Sequence, residues 1–191
     1  MPNLLKYIFL YFWDMNFSEL IKVRQSDRKY KSQAVEREKI VKCLEAARLA
    51  PSANNSQPWK FIVVEEPALK DKIAGLAAGL GMNKWAVQAP VIVAVILEGQ
   101  GFMSTAGSIV KGKEFRLMDI GMAVEHFCLQ AADLGLGTCI MGWFDEKSVK
   151  TILSVPRSRR IPLLISLGYP DNQTRAKGRK PIEDISSWNR Y

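Results

Sequence analysis

The spacing of apolar and polar residues divides the chain into helices and strands before any chemistry is considered. Ile40, Cys43, Leu44, Ala47 and Ala50 recur at helical spacing between Glu36 and Ala50, with charges on the other face, and Pro51 ends the helix. Phe115 to Leu134 is the clearest helix. Leu117, Ile120, Val124, Phe127, Cys128, Ala131 and Leu134 form one apolar stripe, and Gly135 stands where a C-terminal cap belongs. Phe17 to Lys22 and Asp145 to Leu153 read as shorter helices, the second with Asp145 as its N-cap. Pro67 opens a further helix running to about Leu80. Lys60 to Glu65 (KFIVVE), Val91 to Leu97 (VIVAVIL) and Pro162 to Gly168 (PLLISLG) read as strands, with a short fourth at Thr138 to Met141. The Val91 run is apolar at every position, the pattern of a strand covered on both faces. Phe102 to Lys113 reads as a loop or mobile cap, and Tyr169 to Tyr191 as a polar, basic tail. Trp188 in that tail predicts that it packs, on a partner subunit if not on its own chain. Helices and strands mix without strict alternation, which favours an α+β layer fold.

Composition narrows the class. The 191 residues suit one domain with a real core, and 48% hydrophobic with 24% charged residues is ordinary for a globular protein. No segment has the ~20 apolar residues that a bilayer-spanning helix takes, so no stable membrane insertion is expected. Leu4 to Trp13 (LLKYIFLYFW) has the length of a signal-peptide core, but Lys6 interrupts it and no small-residue cleavage site follows. Met15 is then the expected start, residues 1–14 an upstream extension, and residues 15–191 the single domain. A helix packed on a neighbouring surface and a weak interfacial membrane contact are the other readings of that stretch. Three cysteines without framework spacing (Cys43, Cys128 and Cys139) point to free thiols in a reducing compartment, and hence to the cytoplasm.

The net charge is +8, and the basic residues cluster around 22–31, 157–160 and 175–180. No nucleic-acid-binding signature accompanies them, so no nucleic-acid partner is expected. Basic clusters distant in sequence suit a small anion such as phosphate if they meet in space. The segment RQSDR places Arg24, Ser26 and Arg28 just past a helix, and Lys177-Gly178-Arg179 is a second small basic site. Arg suits phosphate because its planar fork donates two parallel hydrogen bonds.

Nucleophile and metal chemistry find little support. The single histidine, His126, lies beside an apolar stripe and reads as a packing or interface residue. The cysteines are too dispersed for zinc, and no metal is expected. There is no G-x-S-x-G, Walker A or G-x-G-x-x-G. Hard chemistry in such a chain would belong to a cofactor. One more stretch fits that idea. In APSANNSQPW, residues 50–59, five residues with hydroxyl or amide side chains precede Pro-Trp, more than a turn requires, as though something planar and polar were held.

Taken together, RQSDRKY, EAARLAPSANNSQPWKFIVV, DIGMAVEHFCLQAADLGLGTCIMGWFDE, PLLISLGYP and KGRKP, in this order and spacing, resemble the nitroreductase family of FMN-dependent oxidoreductases. The likeness runs from about Arg24 to Pro181. It implies a mainly antiparallel sheet flanked by helices, in an intertwined homodimer with FMN at the interface. It implies that Arg24, Gln25, Ser26 and Arg28 meet the FMN phosphate, ribityl chain and pyrimidine edge, with Lys177 and Arg179 as a second phosphate clamp. Pro51, Ser52, Ala53 and Asn55 would reach the flavin of the other subunit, with Gln57 and Trp59 bracing the loop. Backbone N–H groups of Ile140, Met141 and Gly142 would lie near the flavin N5. Met141 departs from the acidic residue of some relatives, which bears on substrate preference. Asn83 and Lys84 are candidates for the family's mid-chain polar contact, and Trp143 and the 102–113 loop for facing substrate. The implied activity is reduction of FMN by NADH or NADPH, followed by reduction of a nitroaromatic, quinone or similar small oxidant. A specialised relative, of dehalogenase or flavin-fragmenting type, and a non-catalytic basic binding protein are the alternatives.

Overall fold

The computed structural model describes residues 15–99 and 114–191. The expectations for residues 1–14 and for the 102–113 loop lie outside them. Six α-helices occur among the described residues: α1 (Phe17–Val23), α2 (Arg37–Arg48), α3 (Pro67–Ala77), α4 (Phe115–Asp133), α5 (Glu146–Ile152) and α6 (Ile182–Ile185). Four strands accompany them: β1 (Trp59–Val64), β2 (Val91–Leu97), β3 (Gly137–Met141) and β4 (Arg160–Gly168). The strands form one sheet in the order β1-β2-β4-β3, every neighbouring pair antiparallel. The expected α+β class with a mainly antiparallel sheet is the observed one.

The sheet has a helical layer on each face. Val91, Val93 and Val95 of β2, with Ile165 and Leu167 of β4, pack against α2 and α4 through Cys43, Ala47, Ile120, Val124 and Phe127. The alternate residues Ile92, Ala94 and Ile96 pack on the other face with Ile73, Ala74 and Ala77 of α3 and Val149 of α5. Successive side chains of a strand point to opposite faces, so a strand covered on both must be apolar throughout. This is the physical reason for VIVAVIL. Phe61 of β1 stacks on Phe127 at a ring separation of 6.0 Å, tying the sheet edge to α4.

The ends of the helices follow local chemistry. Asn16 Oδ1 accepts from the Glu19 N–H at 3.1 Å, and Asp145 Oδ1 from the Ser148 N–H at 3.1 Å. Gly135 takes φ 73° after α4, and the Leu136 N–H returns to the Ala131 carbonyl at 2.8 Å. Two details differ from the periodicity. Leu117 begins the predicted stripe but is exposed, as are Met118 and Met122 on the same helix. The helix from Pro67 ends at Ala77 and passes into a tight turn over Gly79–Gly81, where glycine lowers helix propensity. The tail does not pack its aromatic on this chain: Trp188 is 90% exposed.

Candidate functional site

The site begins where α1 ends. Residues 24–28 run beside β3, with Ser26 in a parallel bridge to Thr138 and the Asp27 N–H donating to the Thr138 carbonyl at 2.8 Å. Extended backbone alternates its side chains. Asp27 therefore turns inward and is buried, while Arg28 stays exposed. Asp27 Oδ1 accepts from Gln25 Nε2 and from Asn172 Nδ2, each at 2.9 Å. Burial raises the Asp27 pKa above the ordinary aspartate value, against the lowering effect of those hydrogen bonds and of Arg175. Gly137 makes the approach possible, since a Cβ there would stand 2.7 Å from Asp27 Oδ2.

The C-terminal segment returns to this same place. The Arg175 N–H donates to Gln25 Oε1 at 3.1 Å, and Arg175 Nη2 to the Ser26 carbonyl at 2.8 Å. Lys177 Nζ donates to the carbonyls of Ile21 and Arg24, at the end of α1. Arg24, Gln25, Ser26, Arg28, Arg175, Lys177 and Arg179 thus line one pocket of about 280 Å³. Burial first, and then the charges of Arg24 and Arg179, lower the Lys177 pKa. Arg24 Nε faces Glu125 Oε1 at 3.3 Å yet is buried without a hydrogen bond among the described residues. Several cations around one pocket fit an anion that accepts several hydrogen bonds, as a phosphate does. The third basic cluster does not join it. Arg157 and Arg160 instead border a separate hollow with Lys147 and Lys150 of α5.

The amide-rich loop occupies a different part of the molecule. Asn54, Asn55 and Gln57 all take positive φ, at 54°, 53° and 46°. Such conformations cost of order 1–3 kcal/mol each in a residue other than glycine and persist only where the surroundings enforce them. Here the enforcement is local. The Gln57 N–H donates to Ser52 Oγ at 3.0 Å, Gln57 Nε2 to Asn55 Oδ1 at 3.1 Å, and the Ala53 N–H to Asp119 Oδ1 on α4 at 3.1 Å. Gln57 braces the loop as expected, and Trp59 begins β1 opposite Leu97. Pro51, Ser52, Ala53 and Asn55 do not line the basic pocket of their own chain.

Beyond Thr138, β3 leads to Ile140, Met141 and Gly142. Ile140 is 43% exposed and Trp143 57%, but the Met141 side chain is buried in the core with Ile92 and Leu164. A side chain turned into the core cannot touch a substrate. The bearing on substrate preference expected from Met141 is thus corrected, and the exposed neighbours are Ile140 and Trp143. Asn83, at φ 47°, donates to the carbonyls of Trp143 at 3.0 Å and Ala77 at 3.3 Å. It ties down the Trp143 backbone, while Lys84 is exposed at the start of the turn Lys84–Gln88. His126 Nδ1 lies 3.2 Å from the Ala46 carbonyl, joining α4 to α2. All three cysteines are buried and unpaired. Burial pushes the Cys43 thiol up to about 12 and the Cys128 thiol up to about 11, away from nucleophilic use.

Sequence reasoning missed three contributors. Asp27 lay inside RQSDR without a role, and Arg175 was one of several basic residues in the tail. Asp119 was passed over on a helix read for its apolar stripe. Its signal was position: it precedes Ile120 by one residue and Ala123 by four, inside the buried arc.

Residues 21–169 match the model of the nitroreductase family. The chain belongs to that family of FMN-dependent oxidoreductases with NAD(P)H as donor. A nitroreductase family protein of Clostridium novyi is similar in structure, with TM-score 0.72, 34% identity, and 83% of this chain and 87% of the other covered. An oxygen-insensitive NADPH nitroreductase of Helicobacter acinonychis is 28% identical over 85% of this chain and 89% of its own. An iodotyrosine deiodinase of Thermotoga neapolitana is 23% identical over 81% of this chain and 88% of its own.

Proposed function

We propose that this protein works as a homodimer that holds FMN between its subunits and reduces a nitroaromatic, quinone or similar small oxidant at the expense of NADH or NADPH. The observation that carries the reading is the convergence of residues 24–28 and 175–179 on one cationic pocket. These segments lie some 150 positions apart in sequence, as the Gln25–Arg175 hydrogen bond spans. The assignment of the pocket to the flavin phosphate has direct support in its donor set. Arg24, Arg28, Arg175, Lys177 and Arg179 supply charge, and Ser26 a hydroxyl. Gln25 is engaged at both ends of its amide within the chain, so its part is to hold Arg175 and Asp27 in place.

A flavin held there would supply the redox chemistry, hydride acceptance from a nicotinamide and electron delivery to an oxidant, which needs no protein nucleophile. The chain supplies the rest. Backbone N–H groups at Ile140, Met141 and Gly142 are the donors offered to the flavin edge. Ile140 and Trp143 offer exposed apolar surface beside them, suited to a flat aromatic oxidant. Pro51, Ser52, Ala53 and Asn55 serve the pocket of the second subunit, since they do not reach the one in their own chain.

The test is the visible absorption spectrum of the purified protein, taken under nitrogen before and after NADH and then NADPH. A flavin band that bleaches with one nucleotide and recovers with a nitroaromatic or quinone is the expected result. A colourless protein that FMN cannot reconstitute sinks the reading. The deiodinase relative favours one second reading, reductive dehalogenation of an aromatic at the same site. Halide release from iodotyrosine, with no turnover of nitroaromatics, would decide for it.

A further inference from the structure

Little apolar surface holds the C-terminal tail to the body of the molecule. None of residues 171–191 is buried, so packing does little to fix it. The exposed Lys29–Asp171 ion pair belongs to a class that contributes little. Yet this tail carries Arg175, Lys177 and Arg179 to the clamp pocket. What meets it there is Asp27, a carboxylate only 4% exposed. Asp27 does not line the clamp pocket; it lines the hollow behind it, of about 260 Å³. It is tied to the tail twice. Oδ1 accepts from Asn172 Nδ2, 145 positions away, and from Gln25 Nε2, each at 2.9 Å. Gln25 in turn accepts from the Arg175 N–H at 3.1 Å and donates to the Gln173 carbonyl at 3.3 Å. A carboxylate buried among neutral amides is costly, and Gly137 gives up a side chain to admit this one.

We propose that Asp27 is the positioning residue of the clamp: by holding Gln25 and Asn172 it seats the tail against residues 24–28, and so makes the site select FMN over riboflavin without itself touching the flavin. The proposal rests on the flavin reading above. Riboflavin has no phosphate, so a misplaced clamp costs it nothing. FMN loses the charge-assisted hydrogen bonds that Arg175, Lys177 and Arg179 offer, or must order the tail as it binds. Selection for the phosphorylated flavin is thereby set by a buried acid, although every group in the pocket that draws the anion is a cation or a neutral donor.

The test uses full-length protein stripped of flavin, with Asp27→Ala and Asn172→Ala made singly and together. Each is titrated with FMN and with riboflavin by fluorescence quenching. Expected in Asp27→Ala is at least tenfold weaker FMN binding, about the scale of one lost hydrogen bond to a charged group, with riboflavin within twofold of wild type. Hydrogen exchange at the Arg175 amide should quicken about tenfold or more before any flavin is added. The double variant should bind FMN no more weakly than Asp27→Ala, because both changes cut the same link. FMN binding within twofold of wild type overturns the proposal. Equal weakening of both flavins also overturns it, since Asp27 would then serve the fold and not the clamp. So does an unchanged exchange rate at Arg175, or losses that add in the double variant. Should Asp27→Ala fail to fold, Asn172→Ala decides alone. Asn172 is exposed, and a variant that binds FMN as tightly as wild type refutes the link. Wild type that binds neither flavin would instead strike at the flavin reading itself, and the proposal falls with it.

Discussion

The two polar parts of the site are built in opposite ways. The basic clamp at residues 24–28 and 175–179 closes on itself. Its backbone and amide groups find partners within the chain, and what remains outstanding is cationic charge. The loop at residues 51–57 also bonds to itself, but it carries no surplus charge. Its backbone is strained, its asparagines are exposed, and the carboxylate behind it is half-paired. A self-satisfied cradle with surplus charge needs only its ion. A strained loop held in shape by its own hydrogen bonds, with its asparagines turned outward, presents a fixed set of amide groups to a second body. The contrast is why one half is read as the grip of its own subunit and the other as the wall of its neighbour's pocket.

The sharpest way to break the comparison is to discharge the clamp. Arg24→Ala with Arg179→Ala removes two guanidiniums from the pocket. Charge-assisted hydrogen bonds contribute roughly 1.5–3 kcal/mol each, so the pair should weaken FMN about a hundredfold or more. The fold should survive, because neither side chain enters the core clusters. Isothermal titration with FMN and a thermal melt of the apo protein measure the two effects separately. Undiminished flavin binding would show that the pocket holds something else.

The sheet and its helices were plain in the sequence because burial writes a period. VIVAVIL, the α4 stripe and the Asp145 and Gly135 caps each follow from a local rule that no other part of the chain overrides. The clamp was legible only in pieces. Arg24 and Arg28 announced themselves by type, as did Lys177 and Arg179, but nothing local says that the two segments meet. That fact depends on the bridge of Ser26 to Thr138 and on the return of the tail through Arg175 and Asn172. Asp119 was obscured for a related reason. Its importance lies in the Ala53 N–H that it meets across the fold, and a helical wheel records only that a charge interrupts an apolar face.

A smaller change should disturb the clamp from beneath. In Gly137→Ala the new Cβ would meet Asp27 Oδ2 at 2.7 Å. Asp27 cannot simply swing away, since Gln25 and Asn172 hold its other oxygen. Overpacking of this kind typically costs about 1–3 kcal/mol. The expected outcome is a lower melting temperature together with weaker FMN binding, although no residue placed at the flavin has been altered. A melt that falls while the FMN dissociation constant stays fixed would mean that Asp27 supports the fold but not the clamp.

The smallest effect is expected in the loop, and its sign carries the argument. Gln57 takes φ 46°, a conformation glycine adopts without strain. Gln57→Gly relieves that cost but loses the side-chain hydrogen bonds to Asn55 and makes the unfolded chain freer. These terms oppose one another, so the apo protein should change in stability by no more than about 1 kcal/mol in either direction. Flavin binding should nevertheless weaken, because the loop would no longer be held in the single shape its neighbour's pocket requires. If the loop is merely a surface turn, the two measurements move together and both stay small. If it is a wall built under strain, affinity falls while stability does not, and mixing wild-type with variant subunits should restore only the pockets whose facing loop is wild type.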